Sequence, residues 1–233
     1  MRAVKRAQDP EVELYGEGWS KYVPVFLSED RRTLDIFLHD VIQMPCNYSE
    51  AYREILDRRE GDVVNLYISN GGGVIDSAIL LMDALEKTKA HTIAHISGTV
   101  ASAATIITLA CKEVRIAKYL QFMVHTYSHG TQGKEHEVKA YVEFSDKELN
   151  RSFREIYSNF LSTKEMDLIL AGKDMWINEF EVAERLERRA RCKELGINIE
   201  ELLARDKKHT ATTKIVSETL PKRKYTKSTN TSK

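Results

Sequence analysis

A serine, a histidine, an aspartate and three consecutive glycines carry the chemistry this sequence is equipped to perform. Ser102 lies in Gly98-Thr99-Val100-Ala101-Ser102-Ala103-Ala104, after a β-branched apolar run, residues 91–96, and before a short apolar stretch, residues 104–110, that reads as a helix. Ser97-Gly98 reads as the punctuation that ends the strand. The serine is thus expected at the mouth of a helix, where unpaired N–H groups and the positive end of the helix dipole favour a developing oxyanion. An N-cap or a small buried residue would look the same. Gly71-Gly72-Gly73 follows another apolar run, about 30 residues upstream. Glycine there admits a positive φ and lets a ligand approach bare N–H groups, or simply makes a tight turn. No Lys-Ser/Thr follows at the spacing of a P-loop. His125 ends a strand-like Met123-Val124-His125, and Asp174 precedes a Trp176-Ile177 pair and a helix signal. Each is common as a surface or capping residue; together they propose a nucleophile, a base and a donor loop.

The elements that must hold these residues are legible as alternating strands and helices. Val25–Leu27 and Leu34–Leu38 have strand composition, with the polar turn Ser28-Glu29-Asp30-Arg31 between them. Ser49 can cap a helix whose Tyr52, Ile55 and Leu56 share a face. Val63–Ile68 is expected to be a strand buried on both sides. Val74, Ala78, Leu81, Met82 and Leu85 recur at helical spacing, and residues 113–117 and 121–124 are two further short strands. This order predicts a largely parallel sheet with crossover helices. Residues 134–161 read as one long helix with a narrow apolar stripe: Val138, Val142, Leu149, Phe153, Ile156 and Phe160. A helix so one-sided often packs on a partner. Ser162-Thr163-Lys164-Glu165 is a capping box, and Asn178 opens a last helix.

The chain's 233 residues, 42% hydrophobic and 30% charged, suit one sizeable α/β domain. Zero net charge does not advertise nucleic acid or a membrane. The boundaries expected are an arm over residues 1–24, a domain over 25–190 and a charged tail over 191–233 without a core-forming pattern. Residues 204–233 hold nine Lys/Arg against two acids; such an isolated tail most often binds nothing. Three widely spaced cysteines, Cys46, Cys111 and Cys192, argue against a disulfide framework. No metal or cofactor motif is present, and no apolar stretch approaches a membrane span, so a cytoplasmic location is the expectation.

Over roughly residues 25–190 the sequence resembles the ClpP peptidase family, within the crotonase-like superfold. The Ser102 segment is similar to the family's Gly-x-Ala-Ala-Ser-Met-Gly, and Met123-Val124-His125 to its Met-Ile-His. Lys173-Asp174-Met175-Trp176-Ile177-Asn178, continued by Glu181-Val182-Ala183, is similar to Arg-Asp-x-Phe-x-Ser-x-x-Glu-Ala. Asn70-Gly71-Gly72-Gly73-Val74 stands where the family has Ser-Pro-Gly-Gly-Val. The spacings, 23 from Ser102 to His125 and 49 from His125 to Asp174, are family-like. The resemblance implies repeated ββα units with a long protruding handle helix. It implies Ser102 as nucleophile, His125 as general base and Asp174 as the group that holds the imidazole. The oxyanion would be held by the N–H of Ala103 and of Gly72 or Gly73, the extra glycine leaving the choice open. It also implies polypeptide substrates, no cofactor, stacked homo-oligomeric rings joined through the helix at 134–161, and an ATPase unfoldase of the AAA+ class on a separate chain.

The departures are Ala103-Ala104 for Met-Gly, Gly71 for the turn proline and Thr126-Tyr127 for the Gln-Pro after the histidine, with His129 nearby as a second imidazole. This style of divergence would suit a virus-encoded relative, including one that trims capsid proteins. Rival readings are a crotonase-like acyl-CoA enzyme, which would not need the three residues together, and a catalytically silent ring-forming subunit. A membrane-linked Ser–Lys peptidase fits less well, for want of a spanning segment.

Overall fold

The computed structural model describes residues 2–3, 23–128 and 130–207. The 1–24 arm (apart from residues 2–3, 23 and 24), His129 and the tail from residue 208 lie outside the described residues. One eight-stranded sheet forms the centre. β1 (Arg2–Ala3) and β2 (Val25–Leu27) pair antiparallel, and β2 pairs antiparallel with β3 (Thr33–Ile42). β3, β4 (Val63–Gly73) and β5 (His91–Ala101) run parallel. Their long apolar registers, such as Ile36↔Leu66 and Leu66↔Ala94, set the core. A 3₁₀ turn (Pro45–Tyr48) and three helices, α1 (Ser49–Leu56), α2 (Ile75–Lys87) and α3 (Ala103–Ala110), follow β3, β4 and β5 as crossovers. Their Ile55, Leu81, Leu85 and Ile107 join Leu34, Ile36, Val64 and Leu66 in the core.

β5 does not stop at Ser97-Gly98, as the sequence suggested. It continues to Ala101 and changes neighbours there: Ile93–Ile96 pair with β6 (Glu113–Ile116), and Thr99–Ala101 pair with β7 (Gln121–Val124). Gly98, at φ +60, supplies the local change of direction. β4 also differs from its expected burial. Its residues alternate, with Val64, Leu66 and Ile68 inside, while Asn65 and Tyr67 are half-buried on the other face. Among the described residues that face carries a ladder of rings, Phe37 on Tyr67 and Tyr67 on His95, each stacked at 4.7 Å.

α4 (Glu135–Ile156) is shorter than the helix expected over 134–161. Tyr157 and Phe160 are drawn into the core, Phe160 against Phe122, and Asn159 takes the left-handed conformation that asparagine tolerates. Most residues in the first half of α4 are exposed, Tyr141 51% and Phe144 66%. α5 (Thr163–Leu170) opens with the expected capping box at Ser162. β8 (Met175–Asn178) pairs antiparallel with β7 at the edge of the sheet. α6 (Glu179–Leu195) is capped by Asn178 and stopped by Gly196 in the left-handed conformation. It runs through residue 190, where the domain was expected to end. Residues 199–207 are also helical, and Cys192, Ile199 and Leu202 close a small apolar cluster of their own. The packed part of the chain therefore reaches residue 207, because Ile199 N–H and Thr163 bind across to Asn159 and Glu200.

Candidate active site

Strand register brings the chemistry together. Ser102 is the residue after Ala101↔Met123 in the β5–β7 pairing, and its N–H donates to Met123 O at 2.9 Å. His125 and Asp174 flank Val124↔Met175, the last rung of the β7–β8 pairing, so they stand side by side. His125 Nε2 lies 2.7 Å from Ser102 Oγ. The Ser102 hydroxyl donates to that nitrogen when the imidazole proton is on Nδ1. His125 Nδ1 lies 3.8 Å from Asp174 Oδ1, within ion-pair reach but beyond a hydrogen bond. Asp174 is 59% exposed and His125 32%.

Ser102 adopts φ 55° and ψ −127°, and its side chain makes no cap bond to α3. A positive φ at a non-glycine residue costs about 1–3 kcal/mol and persists only where the surroundings over-determine it. Here they do. Ser102 O accepts from Thr105 N at 2.9 Å and from Thr105 Oγ1 at 2.6 Å. Thr105 has given its only hydroxyl proton to that carbonyl, so Tyr157 Oη, 2.5 Å away, donates to Thr105 Oγ1. Burial pushes the Tyr157 phenol up to about 12, opposed by the Thr105 hydrogen bond, so it remains a neutral donor. α3 is pinned at its far end by Arg189, whose guanidinium donates to Leu109 O at 3.0 Å.

The glycine turn is the end of β4. Gly72 (φ +99) backs onto the nucleophile: a Cβ there would sit 2.6 Å from Ser102 Cβ and 2.8 Å from Ala101 O. Gly73 (φ +143) is equally intolerant, since its Cβ would meet Ile42 O. The two differ toward the cleft. Gly73 lines it, beside Ser102 and Ala103, whereas the Gly72 N–H already donates to Asn70 Oδ1 at 2.8 Å.

The cleft has a volume of about 460 Å³. Its floor is Ile75, Ile79 and Ile106, and its far wall comes from α4 through Leu149, Phe153 and Ile156. Thr126 and Tyr127, the departures after His125, lie along its rim, and among the described residues no lysine lines it. Tyr127 Oη donates to Asp146 Oδ1 at 3.0 Å, tying the histidine loop to α4. Among the described residues no group of His, Cys, Asp and Glu is arranged to hold a metal. No helix among them is long and apolar enough to cross a membrane.

Sequence reasoning singled out Ser102, His125, Asp174, Ala103 and the glycines; Ser102, Ala103, His125, Gly71 and Gly73 line one cleft, Gly72 backs onto Ser102, and Asp174 stands beside His125 outside the lining. The same reasoning missed Thr105, Tyr157 and Asn70. Tyr157 carried no signal, because its role depends on a partner 52 residues away. Asn70 carried one: an asparagine two residues before a glycine N–H is a turn-forming arrangement. The model of the Clp protease family matches residues 52–183, a span that includes all three of Ser102, His125 and Asp174. No curated protein matches the chain.

Proposed function

The chain belongs to the Clp protease family, and from that premise we propose that it is a serine endopeptidase acting through Ser102, His125 and Asp174. The observation that carries this reading is the 2.7 Å contact of Ser102 Oγ with His125 Nε2, at a serine held in a strained turn on a cleft. Ser102 Oγ attacks the peptide carbonyl carbon as its proton passes to His125 Nε2. The tetrahedral oxyanion is held by the N–H groups of Ala103 and Gly73, both of which line the cleft with Ser102. Collapse breaks the C–N bond, and the imidazolium returns the proton to the leaving amine. Water, deprotonated by His125, then releases the acyl group from Ser102. Asp174 stabilises the imidazolium by charge. The apolar floor and the α4 wall accept a hydrophobic substrate side chain.

The same reading extends to assembly. The first half of α4, which sets the exposed aromatics Tyr141 and Phe144 among charged residues, is the surface that would join stacked rings of identical chains. Such rings would enclose the sites, take unfolded polypeptides, and depend on a separate AAA+ ATPase for folded substrates. A cytoplasmic location accords with three unpaired cysteines. Sedimentation of the intact protein checks the rings, and a monomer at working concentration would remove that part of the reading.

Labelling with a fluorophosphonate probe tests the chemistry. The wild type is expected to label, and Ser102→Ala and His125→Ala are not. Absence of labelling in correctly assembled wild type would overturn the peptidase reading and leave a ring-forming subunit without catalysis.

A further inference from the structure

We infer that Asn70 is the positioning residue that sets the oxyanion loop against the nucleophile, an inference that rests on the peptidase reading. The loop lies where the sheet's own ladder lapses. The β3–β4 register slips between Asp40 and Ile42, and the β4–β5 register slips between Ile68 and Asn70. Asn70 still pairs with Asp40 and Val100, and Gly73 with Ile42, but between them the backbone at Gly71 and Gly72 lacks the pairing that fixes the rest of β4. Three glycines in a row offer it many conformations, yet it must adopt one in which Gly72 touches Ser102 Cβ and Gly73 faces the cleft.

The Asn70 carboxamide supplies what the ladder does not. It is 3% exposed. Its Nδ2 donates to His39 O of β3 at 3.2 Å, and its Oδ1 accepts the Gly72 N–H at 2.8 Å. One side chain thus spans from the neighbouring strand to the second glycine and closes the turn at Gly71. With the Gly72 N–H given to Asn70, Gly73, which lines the cleft with Ser102 and Ala103, is left to offer its N–H there. Both ends of the carboxamide are engaged in a buried place, so swinging it away would strand two polar partners. That marks it as a fixed strut rather than a latch that opens in each turnover. The strut also does the work of the turn proline that Gly71 does not provide.

The experiment uses the intact assembled protein, with kcat and KM measured on a fluorogenic peptide for wild type, Asn70→Ala and Asn70→Ser. Thermal midpoint and assembly size are recorded for each. A displaced donor weakens transition-state binding more than substrate binding, so Asn70→Ala should lower kcat about 10- to 100-fold with KM within about twofold. Asn70→Ser, whose hydroxyl accepts the Gly72 N–H more weakly, should fall between the two. An unchanged or raised kcat in Asn70→Ala overturns the inference, as does a loss that follows the thermal midpoint or assembly and is not relieved by serine. If the alanine variant does not assemble, the serine variant decides, and a wild-type kcat there overturns the inference. A wild type without turnover overturns the peptidase reading together with this inference. An active wild type matched by Asn70→Ala overturns this inference alone.

Discussion

Ser102 and the glycine loop sit at the ends of adjacent parallel strands inside the sheet, whereas His125 and Asp174 sit at the ends of an antiparallel pair on its margin. The first half is determined many times over. Ser102 is held through its N–H, its carbonyl, Thr105 and Tyr157, and Gly72 is packed against it with no room for a methyl group. The second half lies just past Val124↔Met175, the last of the four rungs that join β7 and β8, and leaves Asp174 exposed and 3.8 Å from the imidazole. Strain needs surroundings that cannot yield, so the residue with the costly backbone lies where hydrogen bonds and a close glycine hold it on several sides. A base and its orienting carboxylate need no strain, and an edge strand suffices for them.

Gly72→Ala breaks the rigid half most directly. It forces a side chain into a φ of +99 and against Ser102 Cβ. Peptide turnover is expected to fall by about 10²-fold or more while the far-ultraviolet spectrum keeps its helix and strand signature. Near-normal turnover would show that the loop can yield and would erase the contrast. Asp174→Asn probes the looser half. A directly hydrogen-bonded aspartate is worth about 10⁴ in kcat in the well-studied triads. Across 3.8 Å at an exposed carboxylate the expected loss is smaller, about 10- to 10²-fold. A loss near 10⁴ would mean that Asp174 closes on His125 during turnover.

The smallest effect concerns what anchors the arm that carries Asp174, between α5 and β8. Glu165, in the first turn of α5, pairs with Arg185 of α6 at 2.7 Å. Burial pushes the Glu165 carboxyl up, but hydrogen bonds from Arg185 and Ser162 outweigh it and hold the group down to about 2. A carboxyl lower in the folded than in the unfolded chain contributes stability above the unfolded value of 4.5, and loses it as pH falls toward about 2. The urea midpoint should therefore decline over that window by the equivalent of on the order of 1–3 kcal/mol, and Glu165→Gln should flatten the decline. An unaltered slope in Glu165→Gln would assign the acid sensitivity to other carboxyls.

Much of this was legible before any coordinates. Alternating strands and helices predicted a parallel sheet, because side-chain period and turn residues are properties of neighbours in sequence. The motifs around Ser102, His125 and Asp174 were legible for the same reason, being short and uninterrupted. The readings that differ share a cause. Ser97-Gly98 reads as a stop, yet β5 continues because a second strand, β7, is there to pair with it. Residues 157–161 read as helix, yet Tyr157 and Phe160 are claimed by Thr105 and Phe122.

By itself, the sequence determined most of the elements, though not β8, and the residue types available for chemistry, since local conformational preference and apolar periodicity reach only a few residues along the chain. The tertiary structure alone decided that Ser102 Oγ meets His125 at hydrogen-bond distance while Asp174 stands farther off. It alone decided that Gly72 spends its N–H on Asn70 while Gly73 faces the cleft. Those outcomes depend on strand register, and register is settled by core packing between segments far apart in sequence.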